Sequence, residues 1–518
     1  MRFPPSLARS FPVLALLAIA GCAVGPDFKA PAAPKTDRYT ARQLPPETAA
    51  TAVAGGAAQT FAIGKALPTR WWTLFGSDKL DALVTQAFAN SPTTDSARAA
   101  LRQAEANLDA QRGAFFPSVD ASASAQRQRI NAAAYGSTAA GSSLYNLYNV
   151  SVSVAYTLDI FGGVRRSVEA QAAATEAQRY ELQATYMTLA ANVVTSAVGT
   201  ASLRDQIAAT RDIVAAQEKQ LDIAQKRHRV GAVAYTDVLA AQSSLAAVRA
   251  TLPPLEKQLA ALQSQLAVYL GKLPSEFNGG DFELADLHLP RQIPLALPAQ
   301  LVRRRPDVRA AEARLHSASA EIGVATANLL PQLSISGSIG TQSTAAAQLF
   351  KDKIWSVGAG LTQPLFHGGE LTAKRRAAIA AYDQAGADYR LAVLTAYKNV
   401  SDSLTALQSD AQALQAQYSA MTSARENRDL VERQYTLGSI SYLNLLDAQR
   451  QYQQSRVSYA QALASRYQDT AALFQALGGD WDDSAVATAD ANNPPHSAPA
   501  APAADSAPPA ASSKAKPQ

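Results

Sequence analysis

Twice along the chain the hydrophobic period changes in the same order, from about 3.6 to two and back. Ahead of Pro117 the apolar positions Ala99, Leu101, Ala104 and Leu108 read as helix, as do Ala313, Leu315, Ala318 and Ile322 ahead of Pro331. Beyond the first proline, Val119, Ala121, Ala123 and Ala125 alternate with Asp120, Ser122, Ser124 and Gln126. Val150, Val152, Val154, Tyr156 and Leu158 form the return run, with Ser151, Ser153 and Ala155 between them. The second passage gives Leu333, Ile335, Gly337 and Ile339, then Trp355, Val357, Ala359 and Leu361. Each run is roughly ten residues, the length of a tilted membrane-spanning strand. Gly- and Ser-rich stretches at 131–143 and 341–348 join the members of each pair, which predicts one hairpin per passage and four strands per chain. Four strands cannot close a barrel, and an open edge in lipid leaves backbone groups unpaired. Either the strands form a soluble sheet, or several chains share one barrel.

Long helical runs follow each hairpin. Between Val164 and Arg229 there is no proline and only Gly199 interrupts; between Glu370 and Leu437, only Gly386 does. Such a run makes a rod of roughly 100 Å at about 1.5 Å per residue. Val400, Leu404, Leu407, Ala411, Leu414, Tyr418 and Met421 alternate steps of four and three, a heptad seam that predicts coiled-coil packing. Val193, Ala197, Thr200, Ile207, Val214 and Leu221 hold a looser version. Each rod is expected to turn at Gly231 or Gly438, where glycine suits a left-handed residue, and to return as a second helix to Leu270 or Leu477.

The two passages are one design written twice. Gly231, Tyr235, Leu239 and Gln242 recur as Gly438, Tyr442, Leu446 and Gln449, an offset of 207 (231 to 438). Phe116-Pro117 and Ser91-Pro92 recur as Leu330-Pro331 and Arg305-Pro306 at 214 (117 to 331), and Gly162-Gly163 as Gly368-Gly369 at 206 (163 to 369). A unit this long is an internal duplication rather than a solenoid repeat. The segments read as 76–279 for the first repeat and 280–480 for the second. An N-terminal segment, 22–75, precedes them, and an Ala-, Pro- and Ser-rich tail, 481–518, is expected to be disordered.

The start of the chain reads as an export signal. Arg2 and Arg9 precede the apolar stretch Phe11 to Ala20, which is too short to span a bilayer. Ile19-Ala20-Gly21-Cys22 has the form of a lipobox, so 1–21 is expected to be removed and Cys22 to carry lipid. Ala23, in place of an aspartate that would retain a lipoprotein in the inner membrane, favours the outer membrane. Cys22 is the one cysteine among 518 residues, which excludes an intramolecular disulfide and a multi-thiolate metal site. A net charge of +5, with 17% charged residues, argues against a nucleic-acid binder.

The lipobox followed by Cys22-Ala-Val-Gly-Pro-Asp-Phe28, Trp71-Trp72 with Phe75, the paired Phe116-Pro117 and Leu330-Pro331, Pro364-Leu-Phe-His-Gly-Gly369 and the two Gly/Tyr/Leu/Gln turns resemble the TolC family of outer-membrane efflux channels, in its lipidated OprM-like (NodT-type) branch. The resemblance implies an α+β fold assembled as a homotrimer. Three sets of four strands would close a twelve-stranded barrel, continued by a twelve-helix periplasmic tunnel. It implies a passive, non-enzymatic channel without cofactor, working with a periplasmic adaptor and an inner-membrane pump of the resistance-nodulation-division type to expel drugs, metals or toxic organics. It also implies a periplasmic gate and adaptor-contact tip. Matched by motif position, the tip comprises Gly231, Tyr235, Asp237, Tyr435, Gly438, Tyr442, Asn444 and Asp447; Asn444 stands where an aspartate is more familiar, so a second full carboxylate ring is not implied. A protein-secretion channel and a structural coiled-coil lipoprotein are the alternatives.

Other features add less. His228, His288, His316, His367 and His496 lack metal-ligand spacing, though His228 lies near the tip. Trp71 and Trp72 are expected to pack against the helices, Tyr145, Tyr148 and Tyr156 to belong to an interfacial aromatic girdle, and Arg303 to Arg305 to form a solvated helix start. There is no phosphate-binding loop of the Walker type and no Gly-x-Ser-x-Gly elbow.

Overall fold

The alternating runs pair into one sheet whose register keeps like with like. The computed structural model describes residues 23–43, 45–131, 142–278 and 282–479; Cys22, the tail at 481–518 and most of the first hairpin's linker lie outside them. Strands β2 (Ser118–Asn131), β3 (Ser142–Leu158), β5 (Gln332–Ser343) and β6 (Lys353–Thr362) form an antiparallel sheet in the order β2-β3-β5-β6. Val119 stands opposite Val154, itself opposite Gly337, which faces Val357; Ala121, Val152, Ile339 and Trp355 make the next such row. Directly opposed residues share a face, so the apolar set, with Gly337, lies on one side and most of the serines, with Gly340, Gly358 and Gly360, on the other. Tyr148 and Tyr156 belong to the apolar face, but Tyr145 does not: it pairs with Gln128 on the polar face and accepts a 2.5 Å hydrogen bond from its side chain. The predicted girdle thus loses one member, because 145 and 148 differ in parity. β2 and β6 are the open edges within one chain.

Each hairpin stands between two helices. In the first repeat, α1 (Asp78–Asn90) and α2 (Pro92–Arg112) precede it and α3 (Gly163–Arg229) follows; in the second, α6 (Pro298–Arg304) and α7 (Pro306–Ala327) precede and α8 (Glu370–Thr436) follows. α1 is capped by Ser77, whose Oγ accepts from the Leu80 amide, with Asp78 and Asp81 in its first turn. α3 and α8 are each 67 residues long, rods of about 100 Å. Val400, Leu404, Leu407, Ala411 and Leu414 are fully buried, and the seam extends backward through Ala396, Val393 and Tyr389. The looser seam holds only in part. Beyond Ile207 the buried positions are Ala209, Thr210, Ile213, Gln217 and Ala224, leaving Val214 and Leu221 half-buried.

The return helices differ between repeats. In the second, α9 (Tyr442–Leu477) is continuous, as expected. In the first, the single helix expected to run to Leu270 is two, α4 (Tyr235–Arg249) and α5 (Leu252–Tyr269), broken at Ala250–Thr251. Pro253 and Pro254 are the cause: proline lacks the amide that an uninterrupted helix needs there but fits the first turn of a new one.

The N-terminal segment straps the fold together. Val24 donates its amide to the Phe161 carbonyl at the foot of the sheet, and Arg166 of α3 donates to the Val24 carbonyl and the Asp27 carboxylate. Phe28 stacks on His316, whose Nε2 lies 2.9 Å from Glu169. Farther along, β1 (Thr60–Ile63) pairs in parallel with β4 (Gln292–Leu295), a two-stranded sheet that the periodicity did not reveal. Trp71 and Trp72 are buried as expected, Trp71 against Phe474 and Phe75.

Candidate functional site: the strand wall and the helix tips

The polar face of the sheet is a hydroxyl surface. Ser122 and Ser151 Oγ atoms lie 3.0 Å apart, and Ser338 and Ser356 2.8 Å apart, each pair bridging neighbouring strands. Asp120 is the one charged side chain that the register places on this face along the described strands. The opposite face exposes Val119, Ile339, Trp355, Val357 and Leu361, each more than 60% accessible in the isolated chain. A sheet with one face wet and the other apolar and uncovered can separate water from lipid.

At the far ends of the rods the two turns share one geometry. Gly231 and Gly438 have φ of 75° and 76°, the left-handed conformation. Gly231 donates to the His228 carbonyl and Ala232 to that of Arg227; Gly438 donates to Tyr435 and Ser439 to Gln434. These paired bonds satisfy the last helical carbonyls. The next helix starts at Tyr235 or Tyr442, with Asp237 or Asn444 donating its amide back to Ala234 or Ser441.

Side chains then distinguish the tips. Tyr435 and Tyr442 lie with ring centroids 5.4 Å apart in a small core with Ala241, Leu445 and Leu446, and Arg227 sits over the Tyr435 ring. Burial, with the charge of nearby Asp237, pushes the Tyr442 phenol up to about 12. The structure therefore joins Tyr435, Tyr442 and Asp237 across the two repeats. It does not join the rest: Tyr235 is exposed against the His228 ring, Asp447 pairs outward with Arg450 and Gln451, and Asn444 is exposed. Val230, Leu437 and Leu443 are apolar yet 79%, 83% and 68% accessible at the turns, leaving a sticky end.

Two polar sites escaped the sequence reading. Arg305 is buried rather than part of a solvated helix start: it donates to the Ala476 carbonyl, 171 residues away, and forks onto Asp307. Only Arg303 and Arg304 of that run reach solvent. Arg466 is wholly buried and donates to the Ala57 carbonyl and the Thr48 hydroxyl, tying α9 to the N-terminal segment. Near it, Asp410 of α8 meets Asp469 of α9, and burial with that neighbour raises Asp410 to about 7. The heptad pattern carries no signal for either site, because both face partners distant in sequence. Among the described residues no group of three or more His, Cys, Asp or Glu side chains is placed to hold a metal, and no helix is long and apolar enough to cross a membrane.

Comparison with known proteins agrees with this geometry. The family model for outer membrane efflux proteins matches residues 83–272 and 297–479. Over 441 residues the chain is 31% identical to the pyoverdine export outer membrane protein OpmQ of Pseudomonas putida, covering 84% of this chain and 94% of that protein. It is 28% identical over 492 residues to the toluene efflux pump outer membrane protein TtgI of another Pseudomonas putida strain, covering 91% and 98%. Among solved structures, the outer-membrane channel OprN matches with a TM-score of 0.78 at 28% identity, over 89% of this chain and all of that one. The Campylobacter jejuni CmeC outer membrane channel matches in fold with a TM-score of 0.81 at 19% identity, over 91% and 99%.

Proposed function

The chain belongs to the outer membrane efflux protein family, and from that premise we propose how its parts conduct: three copies, each anchored through lipid on Cys22, join their four-stranded sheets edge to edge into one twelve-stranded barrel. The protein is an outer-membrane channel of an efflux system, with a transport role rather than a catalytic one. The observation that carries the barrel reading is the sheet itself, apolar on one face, serine-lined on the other and open at β2 and β6. Closing those edges between copies removes the unpaired backbone that lipid does not tolerate. The apolar face then meets lipid and the serine face lines a water-filled pore.

Below the barrel the rods α3 and α8 continue the conduit through the periplasm. At their ends Gly231, Tyr235, Asp237, Tyr435, Gly438, Tyr442, Asn444 and Asp447 form the gate and the surface for a periplasmic adaptor. The exposed Val230, Leu437 and Leu443 supply its apolar contact. The Tyr435–Tyr442 core holds the tip closed, and the carboxylates of Asp237 and Asp447 favour cations at the entrance. An inner-membrane pump of the resistance-nodulation-division type supplies the driving force, and small organic molecules, the class to which the pyoverdine and toluene of the relatives' names belong, are the cargo.

The test is purification from detergent-extracted outer membranes, native mass measurement and reconstitution into planar bilayers. A mass of three lipidated chains with steady ion conductance is expected; single chains without conductance would sink the reading. Tyr435→Ala combined with Asp237→Ala is expected to raise the open-channel frequency several-fold. An unchanged conductance would remove the gate from the tip.

A further inference from the structure

The outer face of the sheet ends in a basic rim. Along β2 the apolar positions on that face run from Val119 to Ala125, and the next two are Arg127 and Arg129. Along β6 they run from Leu361 up to Trp355, and the next is Lys353. On β3 the run from Leu158 passes Val150 and Tyr148 to Asn146, with the exposed Leu144 beyond it opposite Arg129, and on β5 it ends at Ile339 before Thr341. β2, β5 and β6 therefore leave the apolar band at their hairpin ends, the ends away from the helices, while β3 is interrupted there by Asn146. At about 3.3 Å per residue the band measures roughly 20–26 Å along the strands, or about 15–20 Å in height once strands tilt by some 40°. Tyr148 and Trp355 mark its upper border, where amphipathic aromatic rings belong.

Arg127, Arg129 and Lys353 are exposed. The acidic side chains of the described hairpin residues are Asp120, on the opposite face near the foot of β2, and Asp352, in the turn before β6. Three cations thus follow the apolar runs of their own strands, Arg127 and Arg129 on one edge of the sheet and Lys353 on the other. Arg127 and Arg129, two positions apart, project from the same side of one strand. Guanidinium forks recognise phosphate oxygens in pairs, and an ammonium adds a point charge.

We propose that this rim is a binding site for the phosphorylated headgroups of lipids in the outer leaflet. The inference rests on the barrel reading above, which puts this face in the membrane with the hairpin ends outward. A lipid fits the site better than a free anion because the cations continue the apolar band: acyl chains lie on Val152, Ile339 and Trp355 while the headgroup phosphates meet the rim. Pinning such lipids around the barrel would fix its depth in the bilayer and seal the joints between copies.

The test compares the wild-type oligomer with the triple variant Arg127→Ser, Arg129→Ser, Lys353→Ser in phosphatidylcholine nanodiscs containing a minority of diphosphorylated lipid A. Native mass spectrometry counts retained lipid A, and melting of the oligomer is followed with and without it. The wild type is expected to retain lipid A and to melt higher in its presence. The variant should bind on the order of tenfold more weakly, with no gain in melting temperature. Equal retention by both proteins, or displacement of lipid A by millimolar inorganic phosphate, overturns the proposal. Bilayer conductance separates it from the reading it rests on: a variant that conducts normally but has lost lipid A supports the rim, whereas a wild type that never conducts takes the barrel and the rim down together.

Discussion

The rods α3 and α8 have the same length and the same flanking turns, yet 29 positions of α3 are buried and only nine of α8. Aligned at an offset of 206 (163 to 369), they share one stripe: Met187, Ala190, Val194, Val198 and Ala201 match Val393, Ala396, Val400, Leu404 and Leu407, all buried. The difference lies on the neighbouring face. Leu189, Val193 and Ala197 of α3 are buried, whereas their counterparts Thr395, Asn399 and Ser403 are polar and partly or fully accessible. α3 has a neighbour there: Phe88 of α1 packs on Tyr186. Along the matched stretch α8 packs chiefly on α6, α7 and α9, with Tyr39 of the N-terminal segment against Tyr397. A duplicated rod thus keeps one seam for its own repeat and lets the second face follow its surroundings.

The sharpest way to break this comparison is to place a charge at matched positions. Val193→Asp puts an unpaired carboxylate where nothing is accessible, and is expected to cost about 3–5 kcal/mol or prevent accumulation. Asn399→Asp should change stability by less than about 0.5 kcal/mol. Urea unfolding followed by circular dichroism measures both; equal losses would refute the one-sided seam.

A smaller effect is expected where the repeats diverge at the residue before the helix proline, Ser91 in one and Arg305 in the other. Arg305→Ser gives the second repeat the first one's chemistry. It strands the Ala476 carbonyl that Arg305 satisfies, at a cost of about 1–3 kcal/mol. A melting temperature equal to wild type would show that the buried guanidinium contributes nothing.

The acid pair Asp410–Asp469 has no counterpart in the first repeat, where Arg204 and Leu262 stand at the matched positions. Asp410 titrates near 7 when folded, above its ordinary 3.8, so the folded state holds that proton more tightly. Its contribution is therefore complete below about pH 4 and is lost as pH rises through 7. Asp410→Asn should flatten the fall in stability between about pH 4 and 7 by about 1 kcal/mol, after allowing for partial solvent screening. Parallel pH profiles for the two proteins would dismiss the pair as a proton site.

The smallest effect belongs to the broken return helix. Replacing Pro253 and Pro254 by alanine, against Ala460 and Gln461 in the continuous α9, is expected to shift stability by no more than about 1 kcal/mol and to add helical circular dichroism. No gain in helicity would place the break in tertiary packing rather than in the prolines.

The channel architecture was legible because its signals are local. A two-residue alternation, a heptad seam, a turn glycine and a repeated Gly/Tyr/Leu/Gln string each occupy one stretch of chain, and copying them doubled the signal. The seven-residue spacing of Val400, Leu404 and Leu407 dictates a stripe whatever packs on it. Pro253-Pro254 is an equally local signal, a break that the second repeat does not share. Of the tip residues, the glycines and the helix starts followed from sequence, whereas the grouping of Tyr435 with Tyr442 and Asp237 needed both repeats folded side by side.

What the sequence determined alone was periodicity, and hence the kind and length of each element and which residues share its face. What the tertiary structure decided was partnership: β1 with β4 across more than two hundred residues of chain, Arg305 with the end of α9, Arg466 with the N-terminal strap. A side chain's own neighbours fix its direction, but its desolvation and its hydrogen-bond partner come from elements brought beside it only by folding.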